Sequence, residues 1–282
     1  MPVQFLVAKI PGEILPKACF AAASDAAREC QIRFTSVCPL RRFCLVCLAS
    51  ICGSRLEFEV IDKRVKSVEE AVAGIRDGST VLVAGFGIVG VADHLLEALH
   101  DQGAKDLTIV ANNSGNGDYG LARLINSGRV RKVICSYPRS GDYSAFLNAY
   151  KAKTLELELV PQGTISERMR AAAAGLGGFF SPVSAHTKLA EGKETREIDG
   201  RLHVFEKPLR GDVALLKANK ADRWGNLTYL KSARNFNPVM AMAAELSIVE
   251  VDEMVDLGAL DPEAVATPGV FIDRVVVVGG NA

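Results

Sequence analysis

The sequence lacks most of the short patterns that betray an enzyme's chemistry. Its 282 residues contain no Gly-x-Ser-x-Gly elbow, no Walker phosphate loop and no His-Glu-x-x-His. The usual serine-hydrolase, P-loop and zinc-protease arrangements are therefore excluded. Only four histidines occur, scattered without ligand spacing, and no metal is expected. Neither sign of charge is in excess: Lys+Arg and Asp+Glu number 33 each. No global field favours nucleic acid or acidic lipid. No apolar run approaches the ~18 residues that cross a bilayer. Neither nucleic acid nor membrane is an expected partner. Repeats and low-complexity linkers are also missing.

Cysteine is almost absent from the larger part of the chain. Beyond residue 52 there is one, Cys135. The other six, Cys19, Cys30, Cys38, Cys44, Cys47 and Cys52, crowd into the start. A disulfide framework there would need an oxidising compartment, whereas the remainder reads as an intracellular enzyme. Cys44-x-x-Cys47 has no histidine before His94 and no βαβ context, so it is a poor zinc or redox site. Residues 1–59 have no convincing period and are expected to be an extension, poorly ordered or loosely attached. They lack the ordered regions of a secretory signal. Their Arg, Ser and Ala content has a faint organelle-transit flavour, against which stand Glu13, Asp25 and Glu29. Translation from upstream of a natural start is a third reading. The expected division is an extension, 1–59, and one domain, 60–282. The expected location is the cytoplasm, or the mitochondrial matrix if the extension is a transit segment.

What is present is an α/β alternation organised around Val81–Leu99. An apolar run, Val81–Ala84, breaks into Gly85-Phe86-Gly87-Ile88-Val89-Gly90. Leu95, Leu96 and Leu99 then follow at helical spacing. Strand, glycine turn and helix form the geometry in which backbone N–H groups and a positive helix end converge on an anion. The spacing also reads GxGxxG, a weak dinucleotide signal by itself. The alternative is a tight turn whose glycines only let the helix pack closely.

Ser67 and Glu70 form a capping-box pattern opening a helix over Val68–Ile75. Further helices are expected at Ala92–His100, Gly120–Ile125, Tyr143–Ala152 and Thr164–Ala174. A second capping box, Thr164 with Glu167, opens the last of these. Strands are expected at Leu107–Val110, Lys132–Cys135 and Leu155–Val160. Such alternation predicts a mainly parallel sheet with helices on both faces. Ligands bind beyond the carboxyl ends of such strands. Gly85–Gly90, Asn112–Gly115 and Pro161–Gly163 would then share one rim, with Gln162 in the last. After Ser181-Pro182 the character shifts. Gly192–Gly200 is charged and turn-rich. Strands are expected at Leu202–Glu206, Val213–Ala218, Leu227–Tyr229, Ser247–Val251 and Val270–Val278, with an apolar helix at Val239–Ala244.

A nicotinamide-binding unit should carry Asp or Glu at the tip of its second strand. Here the tip is Asn112-Asn113. Two neutral amides suit a carboxylate or carbonyl better than a ribose diol. An Asn-rich turn chosen for left-handed conformations is the equal alternative. An NAD-dependent oxidoreductase therefore rests on GxGxxG alone. A non-enzymatic effector-binding module on a similar sheet is the other rival. The polar loops offer a substrate pocket around Gln162–Arg168 but no obvious nucleophile.

At this point the residues carry a resemblance. Val81–Leu95 resembles the first signature of the family I coenzyme A transferases, an apolar strand followed by Gly-Gly-Phe-Gly-x-x-Gly-x-Pro. Ala-Asn-Asn-Ser-Gly (111–115), Leu-Val-Pro-Gln-Gly-Thr (159–164) and Gly-Lys-Glu-Thr-Arg-Glu-Ile-Asp-Gly (192–200) are similar to the α, or A-type, chain of that family. So are Lys-Ala-Asp-Arg-Trp-Gly-Asn-Leu-Thr-Tyr (220–229) and Lys-Ser-Ala-Arg-Asn-Phe (231–236). The resemblance spans roughly Val65 to Val278. It implies transfer of CoA from succinyl-CoA to a 3-oxoacid, 3-oxoadipate first and acetoacetate second, by a ping-pong mechanism. It implies a nucleophilic glutamate on a partner B subunit, within Ser-Glu-Asn-Gly, and no catalytic residue of that kind in this chain. A heterodimer or A2B2 tetramer follows. So does the use of the CoA thioester as substrate, with no permanently bound cofactor. Asn112 and Gln162 match family positions in the substrate and oxyanion pocket. Gly85, Phe86, Gly87 and Gly90 would shape its floor. Three departures stand out. Ala84 replaces the second glycine, Ala92 replaces the proline, and Ser184-Ala185-His186-Thr187 replaces a Gly-Tyr-Gly-Thr type sequence.

Overall fold

The computed structural model describes residues 61–139 and 141–279. The expectations for segment 1–59 lie outside the described residues. Val60–Ala282 forms one compact unit.

Four parallel strands run β1 (Thr80–Val83), β2 (Leu107–Ala111), β3 (Val130–Cys135) and β4 (Glu156–Leu159). On the other side of β1 lie β8 (Gly211–Ala221), β10 (Ala244–Met254) and β11 (Arg274–Val277). The order across the sheet is β11-β10-β8-β1-β2-β3-β4, and every neighbouring pair on this path is parallel. A short β9 (Leu227–Thr228) folds back antiparallel on β8.

The apolar runs identify these strands because both sheet faces are covered. Val81 and Val83 face one core with Leu95, Leu96 and Leu99, while Leu82 faces the other with Ile165, Met169 and Met240. The first face is covered by α1 (Val68–Val72), α2 (Asp93–Gln102), α3 (Gly120–Asn126) and α4 (Ser144–Lys151). The second is covered by α5 (Gln162–Ala173) and α6 (Asn237–Ala243). The expected α/β architecture with helices on both faces is what the chain adopts.

Several boundaries differ from expectation. Helix α1 stops at Val72, three residues short of Ile75. Ser67 does cap it, accepting from the Glu70 N–H at 3.3 Å. The Glu70 carboxylate reaches back to the Lys66 N–H at 2.9 Å, one residue beyond the usual box. The second capping box does not form. Helix α5 begins at Gln162 behind Pro161, so Thr164 is already inside it and buried. The final strand spans only Arg274–Val277, preceded by a 3-10 turn at Gly269–Phe271.

The charged stretch near residue 195 is a hairpin. Strands β6 (Thr195–Ile198) and β7 (Arg201–Glu206) pair antiparallel, and β5 (Phe179–Ser181) completes a separate three-stranded sheet in the order β5-β7-β6. Asp199 and Gly200 make the turn with φ of 50° and 70°. Two successive positive φ values match a type I′ connection.

Candidate functional site

Because β1 to β4 are parallel, their carboxyl ends open on one edge. The described residues of the loops leaving that edge are 84–92, 112–119, 136–139 with 141–143, and 160–161. A cleft there is lined by Gly85, Gly87, Ile88, Asp93, Asn112 and Asn113, among others.

The glycine loop is a small hairpin. Phe86 and Val89 exchange both backbone hydrogen bonds, at 3.0 and 3.1 Å. Gly85, Gly87 and Gly90 have φ of 123°, 65° and 71°, a region that side-chain-bearing residues avoid. A Cβ at Gly85 would also run into the Val91 side chain. Gly85 and Gly87 face the cleft. Phe86 instead stands on the surface, and Gly90 packs against Ala233 and Asn235. The apolar tip is open, with Phe86 and Ile88 at 53% and 68% exposure.

Asn112 follows β2, and Gln162 opens α5. The Gln162 Nε2 donates to Asn112 Oδ1 at 2.7 Å. Ser136 Oγ donates to the same Oδ1 at 2.9 Å and contacts the Asn112 carbonyl at 3.0 Å. Asn113 donates to the Gly87 carbonyl at 3.3 Å and accepts from the Gly115 N–H at 2.9 Å. The structure thus joins the asparagine loop to both the glycine loop and Gln162. Gln162 is not itself among the residues lining the cleft and is connected to it through Asn112. No side chain caps the start of α5, so its positive end opens on this edge.

The start of α2 carries the correction. The sequence pattern allows an external anion at that helix end. The structure puts the buried carboxylate of Glu250, from β10, against it: Oε2 accepts from the Leu95 N–H at 3.0 Å. Oε1 lies 3.2 Å from His94 Nδ1 and 3.4 Å from Lys217 Nζ. A negative charge already seated at the helix end disfavours a pyrophosphate there. Together with neutral Asn112, this removes the dinucleotide reading. Asp93, beside it, has its carboxyl held above the ordinary value, by burial first and by the Glu250 charge second.

Cys135 ends β3 under the same edge, fully buried, and burial pushes its thiol up to about 12. It is inert packing rather than a nucleophile. Among the described residues no three His, Cys, Asp or Glu side chains converge as a metal site requires. No helix among them is long and apolar enough to cross a membrane.

Two contributors to this edge, Asn235 and Glu250, do not stand out in the sequence. The segment Lys231–Phe236 draws notice there only through its resemblance. Glu250 carries a readable signal: a carboxylate between Val249 and Val251, in a strand covered on both faces, must find partners.

The A chain of the 3-oxoadipate CoA-transferase of Pseudomonas putida is 56% identical over 223 residues, covering 79% of this chain and 96% of that one. The A chain of the succinyl-CoA:3-ketoacid coenzyme A transferase of Xanthomonas campestris pv. campestris is 46% identical over 215 residues, covering 76% and 88%. Among solved structures, an acyl-CoA transferase from Escherichia coli O157:H7 superposes with a TM-score of 0.68 at 24% identity. That match covers 78% of this chain but 48% of the other, so this chain spans about half of that protein's length. It speaks for the fold. The family model described as Coenzyme A transferase matches residues 65–278. With the glycine loop, the Asn112–Gln162 pair and the parallel sheet beneath them inside that span, the chain belongs to the coenzyme A transferase family.

Proposed function

We propose that this chain is the A-type half of a two-chain transferase that passes CoA from succinyl-CoA to 3-oxoadipate. The observation that carries it is the Asn112–Gln162 amide pair at the sheet edge in a sequence with no Ser-Glu-Asn-Gly motif. Neutral amides and an uncapped helix end can stabilise charge but cannot attack a thioester. The family resemblance implies that the attacking carboxylate is a glutamate of the B chain. The exposed apolar tip of the glycine loop suits cover by such a partner.

In this reading the partner's carboxylate attacks the succinyl-CoA carbonyl and CoA thiolate leaves, giving a mixed anhydride. The thiolate then attacks the enzyme's own acyl carbon. Succinate departs, and an enzyme–CoA thioester remains. The 3-oxoacid carboxylate runs the two steps in reverse. Splitting one exchange into two displacements lowers each barrier. Asn112 and Gln162 orient and stabilise the oxyanion formed at each stage, while Gly85 and Gly87 let the backbone approach the acyl group. The names of the similar proteins favour 3-oxoadipate, with acetoacetate as the second reading.

The test is co-expression with a B chain, followed by assay of succinyl-CoA against 3-oxoadipate and acetoacetate. Turnover only in the two-chain enzyme, with 3-oxoadipate preferred, is expected. Activity in the isolated chain overturns the division of labour. Preference for acetoacetate selects the second reading.

A further inference from the structure

We infer that Asn235 is the positioning residue of the glycine loop in CoA transfer. The inference rests on the loop belonging to the reaction site.

Three glycines at positive φ give the Gly85–Gly90 segment wide freedom that must be removed before it can shape a pocket. The Phe86–Val89 bonds fix its tip. Its neck is closed from outside by one carboxamide. Asn235 Oδ1 accepts from the Gly85 N–H at 3.1 Å, and Asn235 Nδ2 donates to the Val89 carbonyl at 3.0 Å. Asn235 thus bonds both the entry and the exit of the loop, from 150 and 146 positions away in sequence. The job needs an acceptor and a donor on one short planar group, which Asn supplies and Asp or Ala does not.

The amide is itself held. Oδ1 also accepts from the Phe236 N–H at 2.7 Å, and Nδ2 donates to the Ser232 carbonyl at 3.2 Å. Behind it, the fully buried Asn237 ties the segment to the central sheet. Its Oδ1 accepts from the Lys217 N–H on β8 at 2.8 Å, and its Nδ2 reaches the Ala233 and Gly90 carbonyls at 3.0 and 3.3 Å. Gly90 completes the seat. A Cβ there would stand 2.5 Å from the Ala233 oxygen and 2.7 Å from Asn235 Nδ2. The glycine at 90 therefore admits the clamp, whereas that at 85 admits Val91. A loop so fixed presents its cleft-facing backbone without reorganising during the reaction, the condition under which dipoles stabilise a transition state best.

The test uses the assembled two-chain enzyme carrying Asn235→Ala, with Asn235→Asp as the isosteric variant should the first fail to fold. Turnover is expected to fall ~10- to 100-fold, as misplacement of a site by about an ångström does, with KM shifting far less. Amide hydrogen exchange at 85–90 should quicken while β1 and β8 stay protected. Gly90→Ala should give the same signature from the other side of the contact, and the combined variant should be no worse than the poorer single one. Turnover within twofold of the parent, or a loss of turnover with unchanged loop exchange, overturns the inference. Gly87→Ala separates the two levels, since it strains the loop without touching the clamp. If it lowers turnover and Asn235→Ala does not, the clamp alone is wrong. If both are silent, the assignment of the loop to the site fails as well.

Discussion

Gln162 and Asn112, fifty positions apart, meet through a 2.7 Å hydrogen bond from Nε2 to Oδ1. The bond leaves the Asn112 Nδ2 and the Gln162 Oε1 without a partner among the described residues, and both belong to a polar edge rather than to the core. Gln162→Ala in the two-chain enzyme should lower turnover by ~100-fold, the lower end of the range for losing one oxyanion donor. Because Gln162 is exposed, the melting temperature and co-purification with the B chain should not move. Steady-state kinetics beside a thermal melt decide it; an unchanged rate removes Gln162 from the site.

Asp93 gives a pH-dependent stability with a definite sign. Burial, then the Glu250 charge, raises its carboxyl pKa in the folded chain. The folded state thus holds this proton more tightly than the unfolded state does. Above the folded pKa, ionised Asp93 destabilises the fold, and that penalty fades as the pH falls through the folded value towards the unfolded one near 4. Asp93→Asn should therefore melt higher than the parent at pH 7, with the gap closing on acidification. Denaturation series at pH 7 and pH 4 measure it, and a variant that is less stable at pH 7 contradicts the reading.

Glu158 should behave in the opposite way. On edge strand β4 it bonds Lys132 Nζ at 2.6 Å and Arg168 Nη1 at 3.1 Å, linking β3 and β4 to α5. Burial works to raise its pKa, and the Lys132 and Arg168 bonds outweigh this and lower it. Its stabilisation is present above the unfolded pKa and is lost as the pH falls through the lower folded value. The site is about one-third exposed, so screening keeps the worth of the pair to ~0.5–1 kcal/mol. Glu158→Gln should cost that much at pH 7 and nothing below the folded pKa, as read from urea midpoints.

The layout of the sheet is legible in the sequence because its strands are buried on both faces. Val81–Ala84 is apolar without interruption and Leu107–Val110 is broken only by the buried Thr108, and their ends are marked by Gly85 and Asn112. The common edge follows from parallel pairing alone. The β6–β7 hairpin is harder to see. Thr195-Arg196-Glu197-Ile198 lies in a small, largely exposed sheet, where no apolar run marks the strand. Its Asp199-Gly200 turn is the available signal. Thr164 misleads because Pro161 starts α5 earlier than a capping box would. The roles of Asn235 and Glu250 depend on partners 150 and 155 positions away. Local periodicity carries no trace of such pairings.

Glu250 supports a last prediction. Its carboxylate is 1% exposed and meets three partners: the Leu95 N–H, His94 and Lys217. Replacing it with Ala leaves the α2 amide without its acceptor in a buried place, a desolvation cost of ~1–3 kcal/mol. Lys217 is not orphaned, because its ammonium also sits 2.7 Å from Asp252 on the open side. The loss should therefore fall below the ~3–5 kcal/mol typical of breaking a fully buried pair. A cost of about 2 kcal/mol corresponds to a fall of roughly 4–8 °C in the melting temperature of a domain this size. Glu250→Gln keeps an acceptor for Leu95 and should lose less than Ala does. If the two variants melt alike, it is the charge beside Lys217 rather than the bond to the helix end that holds α2 in place, and the capping argument is wrong.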